Sequence, residues 1–416
     1  MGSRRDFLRK AGIAGLGATA SAVAPSALRA QSIDGANLPP NVPAWMKTQG
    51  EAVNWRPYGL PAEFEKQVIK VKRPSVMPTE GVSLTPLQHL HGIITPSGVV
   101  FERQHGGVPL IDPAQHRVLL HGLVKRPLVF TMDDITRFPS ESHIYFLECS
   151  GNTSRDWRSP VSRTVQETHG LLSCCEWTGV PLATLLEEAG LEPQAKWILA
   201  EGVDASGHTR SLPLAKCLED ILVAYAQNGE MLRPEQGYPL RLIVPGWEGN
   251  VSVKWLRRLK VGDAPFMTRQ ETSRYTDLMP DGTAREFTFI MEAKSVITHP
   301  SGGHRLKGRG FHEISGIAWS GNGRIRRVDV STDGGRSWRQ AALQEPVLTR
   351  ALTRFRFPWQ WDGSPAVLQS RALDESGYVQ PTRAQIIARV QMPNRAGFVQ
   401  DPRPDLHNPA CRAGCR

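Results

Sequence analysis

Tyr145-Phe-Leu-Glu-Cys-Ser-Gly-Asn-Thr153 is the stretch on which the rest of the chain turns. Ile144 to Leu147 is a short β-prone run, and Gly151-Asn152 behind it is turn chemistry that lets the backbone reverse. Cys149 therefore falls where a strand hands its last side chain to a loop, and loops aimed by rigid elements are where chemistry collects. A free cysteine is also among the residues most often buried as a small hydrophobe. On this stretch alone the buried hydrophobe is the better account; the balance shifts only with segments elsewhere in the chain.

Working outward, Leu84 to Val100 reads as short strands with a turn at Pro96-Ser-Gly98, and Phe101 to Pro109 as a polar loop. His116 to Leu123 and Leu128 to Met132 read as strands, followed by a short helix from Met132 to Phe138. Trp177 to Ala189 holds a helix, with Pro181 at its start, Leu182, Leu185 and Leu186 on one face and Gly190 at its end. Ile198 to Ala200, Ile221 to Tyr225, Tyr238 to Gly246 and Val251 to Val261 read as strands. Strands interleaved with short helices, without a Gly-x-Gly-x-x-Gly turn, predict a mixed α+β body over residues 76–284. From residue 285 the composition shifts to short β-prone runs separated by turns such as Ser301-Gly-Gly303, Asp333-Gly-Gly335 and Asp362-Gly363. This predicts an immunoglobulin-like β-sandwich over 285–390, without the Cys…Trp…Cys signature. Residues 31–75 read as an extended arm and the Pro-rich residues 391–416 as a disordered tail.

At 416 residues the chain has room for two or three domains. Residues 1–30 carry five cations and one anion, so the remainder holds +6 of the +10 net charge. That excess is mild and spread out, which argues against nucleic acid and suits an anionic substrate or an acidic partner. No apolar run is long enough to span a membrane. Ser3-Arg-Arg-Asp-Phe-Leu-Arg-Lys10, the weakly apolar Ala11 to Ala24 and the small residues up to Ala30 form a twin-arginine export signal. Export by that route predicts a periplasmic protein that crosses the membrane folded, as insertion of a cofactor in the cytoplasm requires. The six cysteines are too few for a disulfide scaffold, and no Cys-x-x-Cys-His offers a haem attachment site.

Four separated segments then point one way: Phe101-Glu-Arg-Gln-His105, the Cys149 loop, Tyr238 to Gly246 with Val251-Ser-Val-Lys254, and Tyr275. In that order they resemble the sulfite oxidase family of molybdenum enzymes. Glu-Cys-Ser-Gly-Asn, with Gly229-Glu-Met-Leu-Arg-Pro-Glu-Gln-Gly-Tyr-Pro-Leu-Arg241 and Lys254-Trp-Leu-Arg-Arg258, is most similar to the branch supplying the molybdenum subunit of sulfane dehydrogenase in thiosulfate oxidation. The resemblance spans roughly residues 40–385. It implies a molybdopterin domain followed by a dimerisation sandwich, and oxidation of sulfur donors. It also implies a molybdenum-molybdopterin cofactor whose metal is held by the pterin dithiolene and the Cys149 thiolate, a soft ligand that a metal deprotonates.

By the same resemblance, Phe101, Glu102, Arg103, Gln104, His105, Asp204, Gln236, Arg241, Ser252, Val253 and Lys254 match cofactor-contacting positions. Cations and N–H donors among them suit the pterin phosphate. Arg103 and Tyr275 match residues facing the substrate, the first as an oxyanion partner. For Asp204 a plain turn-forming role competes, for His105 a plain loop histidine and for Tyr275 a packed aromatic. The family's animal members have a histidine where Gln236 stands, and place an arginine directly after Cys-x-Gly-Asn where this chain has Thr153 and Ser154 before Arg155. That departure fits a site opened for a substrate larger than sulfite. The implied partners are a c-type cytochrome that takes the electrons, a sulfur carrier protein holding substrate on a cysteine, and a second copy of the chain. Oxidation of free sulfite is one alternative, and a non-catalytic exported binding protein with a vestigial site is another.

Overall fold

Alternation along Glu141–Glu148 sets the architecture. Ile144 and Phe146 pack into a core with Val296, Ile317 and Trp319, while Tyr145 and Leu147 pack into another with Phe101, Trp177 and Ile243. A strand with both faces buried in this way is the centre of a layered body. The computed structural model describes residues 61–75, 77–154, 163–279 and 281–390. The twin-arginine segment, most of the N-terminal arm, Arg155 and the C-terminal tail lie outside the described residues.

Three sheets build the first body. Strands β1 (Val71–Arg73), β2 (Gly81–Leu84) and β3 (Glu102–Gln104) form an antiparallel sheet in that order. A second sheet contains β4 (Val118–Gly122), β5 (Leu128–Phe130), β8 (Trp197–Gly202), β9 (Thr209–Pro213) and β13 (Leu256–Gly262), ordered β5-β4-β13-β8-β9. Its one parallel pair is β4 with β13. The third sheet holds β6 (Glu141–Glu148), β7 (Leu172–Pro181), β10 (Leu222–Gln227), β11 (Glu230–Met231) and β12 (Arg241–Ile243). Its path is β11-β10-β7-β6, with β12 also on β10.

Short helices connect the strands. α1 (Met132–Arg137) and α2 (Val165–His169) each begin at a threonine whose hydroxyl accepts an amide three residues on, while the acid at that position takes the threonine amide. α3 (Leu182–Ala189) follows β7 directly through Pro181, buries Leu182, Leu185 and Leu186, and stops at Gly190. α4 (Leu214–Cys217) and α5 (Arg269–Ser273) are single turns or little more.

A small ribbon of β14 (Asp277–Leu278) and β15 (Ala284–Arg285) leads to the second body. This is the expected sandwich. β16 (Lys294–His299), β17 (Gly310–Trp319), β20 (Ala342–Gln344) and β21 (Thr353–Trp361) make one sheet in the order β16-β17-β21-β20. β18 (Ile325–Ser331), β19 (Arg339–Gln340) and β22 (Gln369–Asp374) make the other, ordered β19-β18-β22. Ile314, Val328, Phe355 and Ala372 fill the space between them. The final described element is α6 (Arg383–Val390).

Several local expectations are corrected. Leu84 to Val100 is not strand beyond Leu84 but two 3-10 turns, Leu87–His89 and Ser97–Val99. Pro86 and Pro96 precede them and have no N–H to give a ladder. The polar run from Phe101 instead contains β3, because Glu102, Arg103 and Gln104 find partners on β2. Val251 to Val261 is strand only from Leu256; Gly249–Val251 is a 3-10 turn and Trp255 has φ of 52°. Phe287 to Glu292, the first of the β-prone runs after residue 285, forms no strand and joins Gly246 to Glu248 only through the Trp247–Ile290 bridge and its two flanking backbone hydrogen bonds. β7, which occupies the first part of the segment read for its helix, and β9 had no expectation at all.

Candidate active site

β6 delivers Cys149 to the edge of a cavity. The Cys149 amide donates to the Leu171 carbonyl at 3.0 Å, and its own carbonyl takes the Asn152 amide at 2.9 Å, which closes the turn. Gly249 lies against this backbone so closely that a Cβ there would meet the Glu148 carbonyl oxygen at 2.7 Å. The loop carrying Gly249 to Lys254 is thereby held beside the cysteine. Burial pushes the Cys149 thiol above its ordinary pKa, while the Gly151 amide and the Arg103 charge pull it back. The cavity that its side chain lines has a volume of about 90 Å³.

β3 forms one wall. Phe101, Arg103 and His105 alternate onto the cavity, as period-2 geometry requires. Gln104, where the strand ends, also reaches it: its Nε2 donates to the Glu235 carbonyl at 3.1 Å. Glu102 points the other way, to Lys70 and Ser83, so the structure does not bring it to the cavity. Burial and the Arg103 charge lower the His105 imidazole to about 4, so it is neutral there.

The floor holds two buried cations. Arg241 on β12 donates to the Gln236 carbonyl at 2.8 Å and the Ser252 carbonyl at 3.1 Å, with its guanidinium 5.1 Å from the Trp177 ring centre. Lys254 donates to Gln104 Oε1 at 2.7 Å and to the Arg103 and Glu235 carbonyls at 3.2 and 3.1 Å. Every one of these acceptors is neutral. Burial alone lowers Arg241 to about 9, and burial with the Arg241 charge lowers Lys254 to about 7. Glu102, Asp204 and Glu235 favour the Lys254 charge only from a distance; a buried cation without a directly bonded anion is costly, so the pair marks a place prepared for a negative group. Gln236 fixes the neighbouring wall by donating to the Phe101 carbonyl at 3.0 Å. Ser252 and Val253 line the same side, the Ser252 hydroxyl accepting the Val244 amide at 3.0 Å. Asp204 lines the cavity from its turn, where its carboxylate takes the Ser206 hydroxyl and the His208 amide.

Tyr275 closes the far side. Its ring lies 4.4 Å from the Arg210 guanidinium and edge-on to His208 at 6.4 Å. Burial first, and then the nearby Cys149, push its phenol up to about 12.

Sequence reasoning missed Ser206, His208, Asn250 and Trp255, which line the same cavity. Asn250 and Trp255 flank Val251-Ser-Val-Lys254, so widening that motif by one residue would have found them. His208 and Ser206 gave no signal beyond proximity to Asp204. Asn250 donates to Glu248 at 2.7 Å and Ser150 at 3.1 Å, yet its buried Oδ1 has no partner among the described residues. Nor do three or more His, Cys, Asp or Glu converge as metal ligands among the described residues. One inward thiol, two buried cations bonded only to neutral oxygens and an unpartnered amide oxygen fit an organic group that carries both a phosphate and a metal seeking one thiolate.

Residues 105–270 match the family model of an oxidoreductase molybdopterin binding domain, and residues 285–396 that of a Mo-co oxidoreductase dimerisation domain. The chain belongs to the sulfite-oxidase-type family of molybdopterin oxidoreductases. It is similar to the crystal structure of the sulfane dehydrogenase SoxCD from Paracoccus pantotrophus, with 48% identity and a TM-score of 0.81 over 83% of this chain and 90% of that one. Mitochondrial sulfite oxidase of Mus musculus is 32% identical over 321 residues, 70% of this chain and 58% of the relative. The NADH nitrate reductase of Ulva prolifera is 33% identical over 301 residues, 65% of this chain and 34% of the relative. The chain thus spans about a third to somewhat over half of these curated relatives. No helix among the described residues is long and apolar enough to cross a membrane.

Proposed function

We propose that the chain is the molybdenum subunit of a periplasmic sulfane dehydrogenase. It oxidises sulfane sulfur held on a cysteine of a carrier protein and passes the electrons to a c-type cytochrome. The observation that carries this is the convergence of the Cys149 thiol, Arg241 and Lys254 on one cavity, both cations hydrogen-bonded only to neutral oxygens among the described residues. Cys149 would hold the metal, and Arg241 and Lys254 the phosphate of the pterin. Phe101, Gln104, His105, Asp204, Gln236, Ser252 and Val253 would shape the walls around it, while Glu102 would act only by anchoring β3. When bound, the molybdenum centre supplies oxygen-atom transfer and accepts two electrons. Arg103 and Tyr275 then face the substrate, the arginine drawing anionic sulfur in and the phenol donating a hydrogen bond without losing its proton at neutral pH. The 48% identity with a sulfane dehydrogenase supports the substrate, the dimerisation-domain match supports a homodimer core, and the twin-arginine segment supports export.

Free sulfite is the second reading, favoured by Arg103 at the cavity and by the likeness to sulfite oxidase. Elemental analysis of the purified mature protein tests the common ground, with about one molybdenum per chain expected from the single thiolate position. Cys149→Ser should lose both metal and turnover. Steady-state rates with persulfidated carrier against sulfite separate the two substrates, and an active, metal-free protein overturns both.

A further inference from the structure

A second hollow, lined by Glu80, Arg269 and Arg274, shares His105, Ser206, His208 and Tyr275 with the cavity that holds Cys149. Glu80 stands at this outer position, just before β2, and its Oε1 reaches Arg103 at 3.2 Å and His105 at 3.7 Å. The other terminal nitrogen of Arg103 donates to the Gln104 carbonyl at 2.6 Å. Each terminal nitrogen of Arg103 therefore already makes one bond. Each terminal nitrogen keeps a second N–H, but bidentate capture of an oxyanion needs a pair of parallel N–H groups, so a free oxyanion must compete with Glu80 for Arg103, against the carboxylate's charge. The Glu80 and Arg103 side chains are 48% and 28% exposed, and an ion pair this open adds little to stability. The arrangement is thus better explained by what it does to ligands.

Resting on the sulfur-oxidising reading, we propose that Glu80 is a specificity-determining residue: by occupying Arg103 it discriminates against small free oxyanions such as sulfite, in favour of sulfur presented on a carrier. A dianion loses most from the competing carboxylate, whereas a carrier-held sulfur atom brings less charge and draws affinity from contacts beyond the hollow.

The test compares sulfate binding to the molybdenum-loaded full chain by calorimetry, and KM for sulfite with ferricyanide as acceptor. Glu80→Gln should bind sulfate about two- to fivefold tighter and show a KM for sulfite lower by about the same factor, since losing one exposed opposed charge contact is worth roughly that. Glu80→Asp, which keeps the charge, should stay near the parent. The gain should vanish in the Glu80→Gln/Arg103→Gln double variant. Sulfate affinity and sulfite KM unchanged or weakened in Glu80→Gln overturn the proposal, as does a gain that survives loss of Arg103. If the parent oxidises neither donor, the functional reading fails instead, and the sulfate comparison still decides the role of Glu80.

Discussion

Glu148, the residue before Cys149, and Lys294, which opens the sandwich, form a buried ion pair at 3.1 Å across 146 residues of sequence. The same Glu148 oxygen takes the Trp319 indole N–H at 2.7 Å, and its other oxygen takes Asn152 at 3.0 Å. The cysteine loop is therefore anchored to the second body by a charge pair and hydrogen bonds that are buried. Removing one partner strands the other. Lys294→Met should destabilise the metal-free chain by about 3–5 kcal/mol in denaturant unfolding. It should also lower molybdenum content, because the turn that aims Cys149 loses its tether. Unchanged stability and metal content would mean that the sandwich does not hold the loop.

The Cys149 thiol titrates above its ordinary range through burial, and the Arg103 charge opposes that shift. Alkylation proceeds through the thiolate. In metal-free protein, Arg103→Gln should slow iodoacetamide labelling of Cys149 severalfold at pH 8, at up to about tenfold per unit of pKa. Peptide mass spectrometry follows the site. Cys174, Cys175 and Cys217, fully buried and with thiols pushed upward by burial, should remain unlabelled on the same timescale.

Lys254 gives the metal-free chain a pH signature. Its ammonium titrates near 7 in the fold against 10.5 when unfolded. Between those values the unfolded chain binds the extra proton, so stability rises with pH across that window, by at most about 1.4 kcal/mol per pH unit. Below pH 7 the folded chain carries the buried charge and the full penalty. The thermal midpoint of the metal-free parent should climb from pH 7 to 9.5, and in Lys254→Met that climb should be markedly flatter. A bound phosphate restores the proton's advantage, so phosphate should protect best at the acid end of the range.

The fold was readable where residues obey local rules. Trp177 to Ala189 disclosed its helix through Pro181, the leucine face and Gly190, and the turns after residue 285 disclosed the sandwich. The cavity-lining residues were readable through motif order, because Cys149, Arg241 and Lys254 come together only by tertiary pairing that no periodicity reports. Glu102 was the exception, since strand alternation turned it to Lys70. What stayed hidden was long-range polar matching. Nothing near Arg210 in the sequence announces Glu271, and nothing near Glu148 announces Lys294, since these partners meet through sheet packing. β7 was hidden because Leu172 to Pro181 is buried on both faces and shows no alternation.

Arg210 and Glu271 form a second buried pair, at 2.9 Å, with the Arg210 guanidinium under the Tyr275 ring. Glu271 also takes the Ser211 amide at 2.7 Å, while Arg210 Nη1 and Glu271 Oε2 have no partner among the described residues. Each single substitution leaves a buried charge alone, so Arg210→Met and Glu271→Met should each cost about 3–5 kcal/mol, and the double variant should recover much of that loss. Stability and function should then part company. The Arg210 charge holds the Tyr275 phenol below where burial and Cys149 would place it. In the folded double variant the phenol should titrate still higher and donate a weaker hydrogen bond. The expected result is a turnover deficit with KM changed much less, measured with the donor the parent oxidises. A double variant with parental turnover would show that the pair serves packing alone.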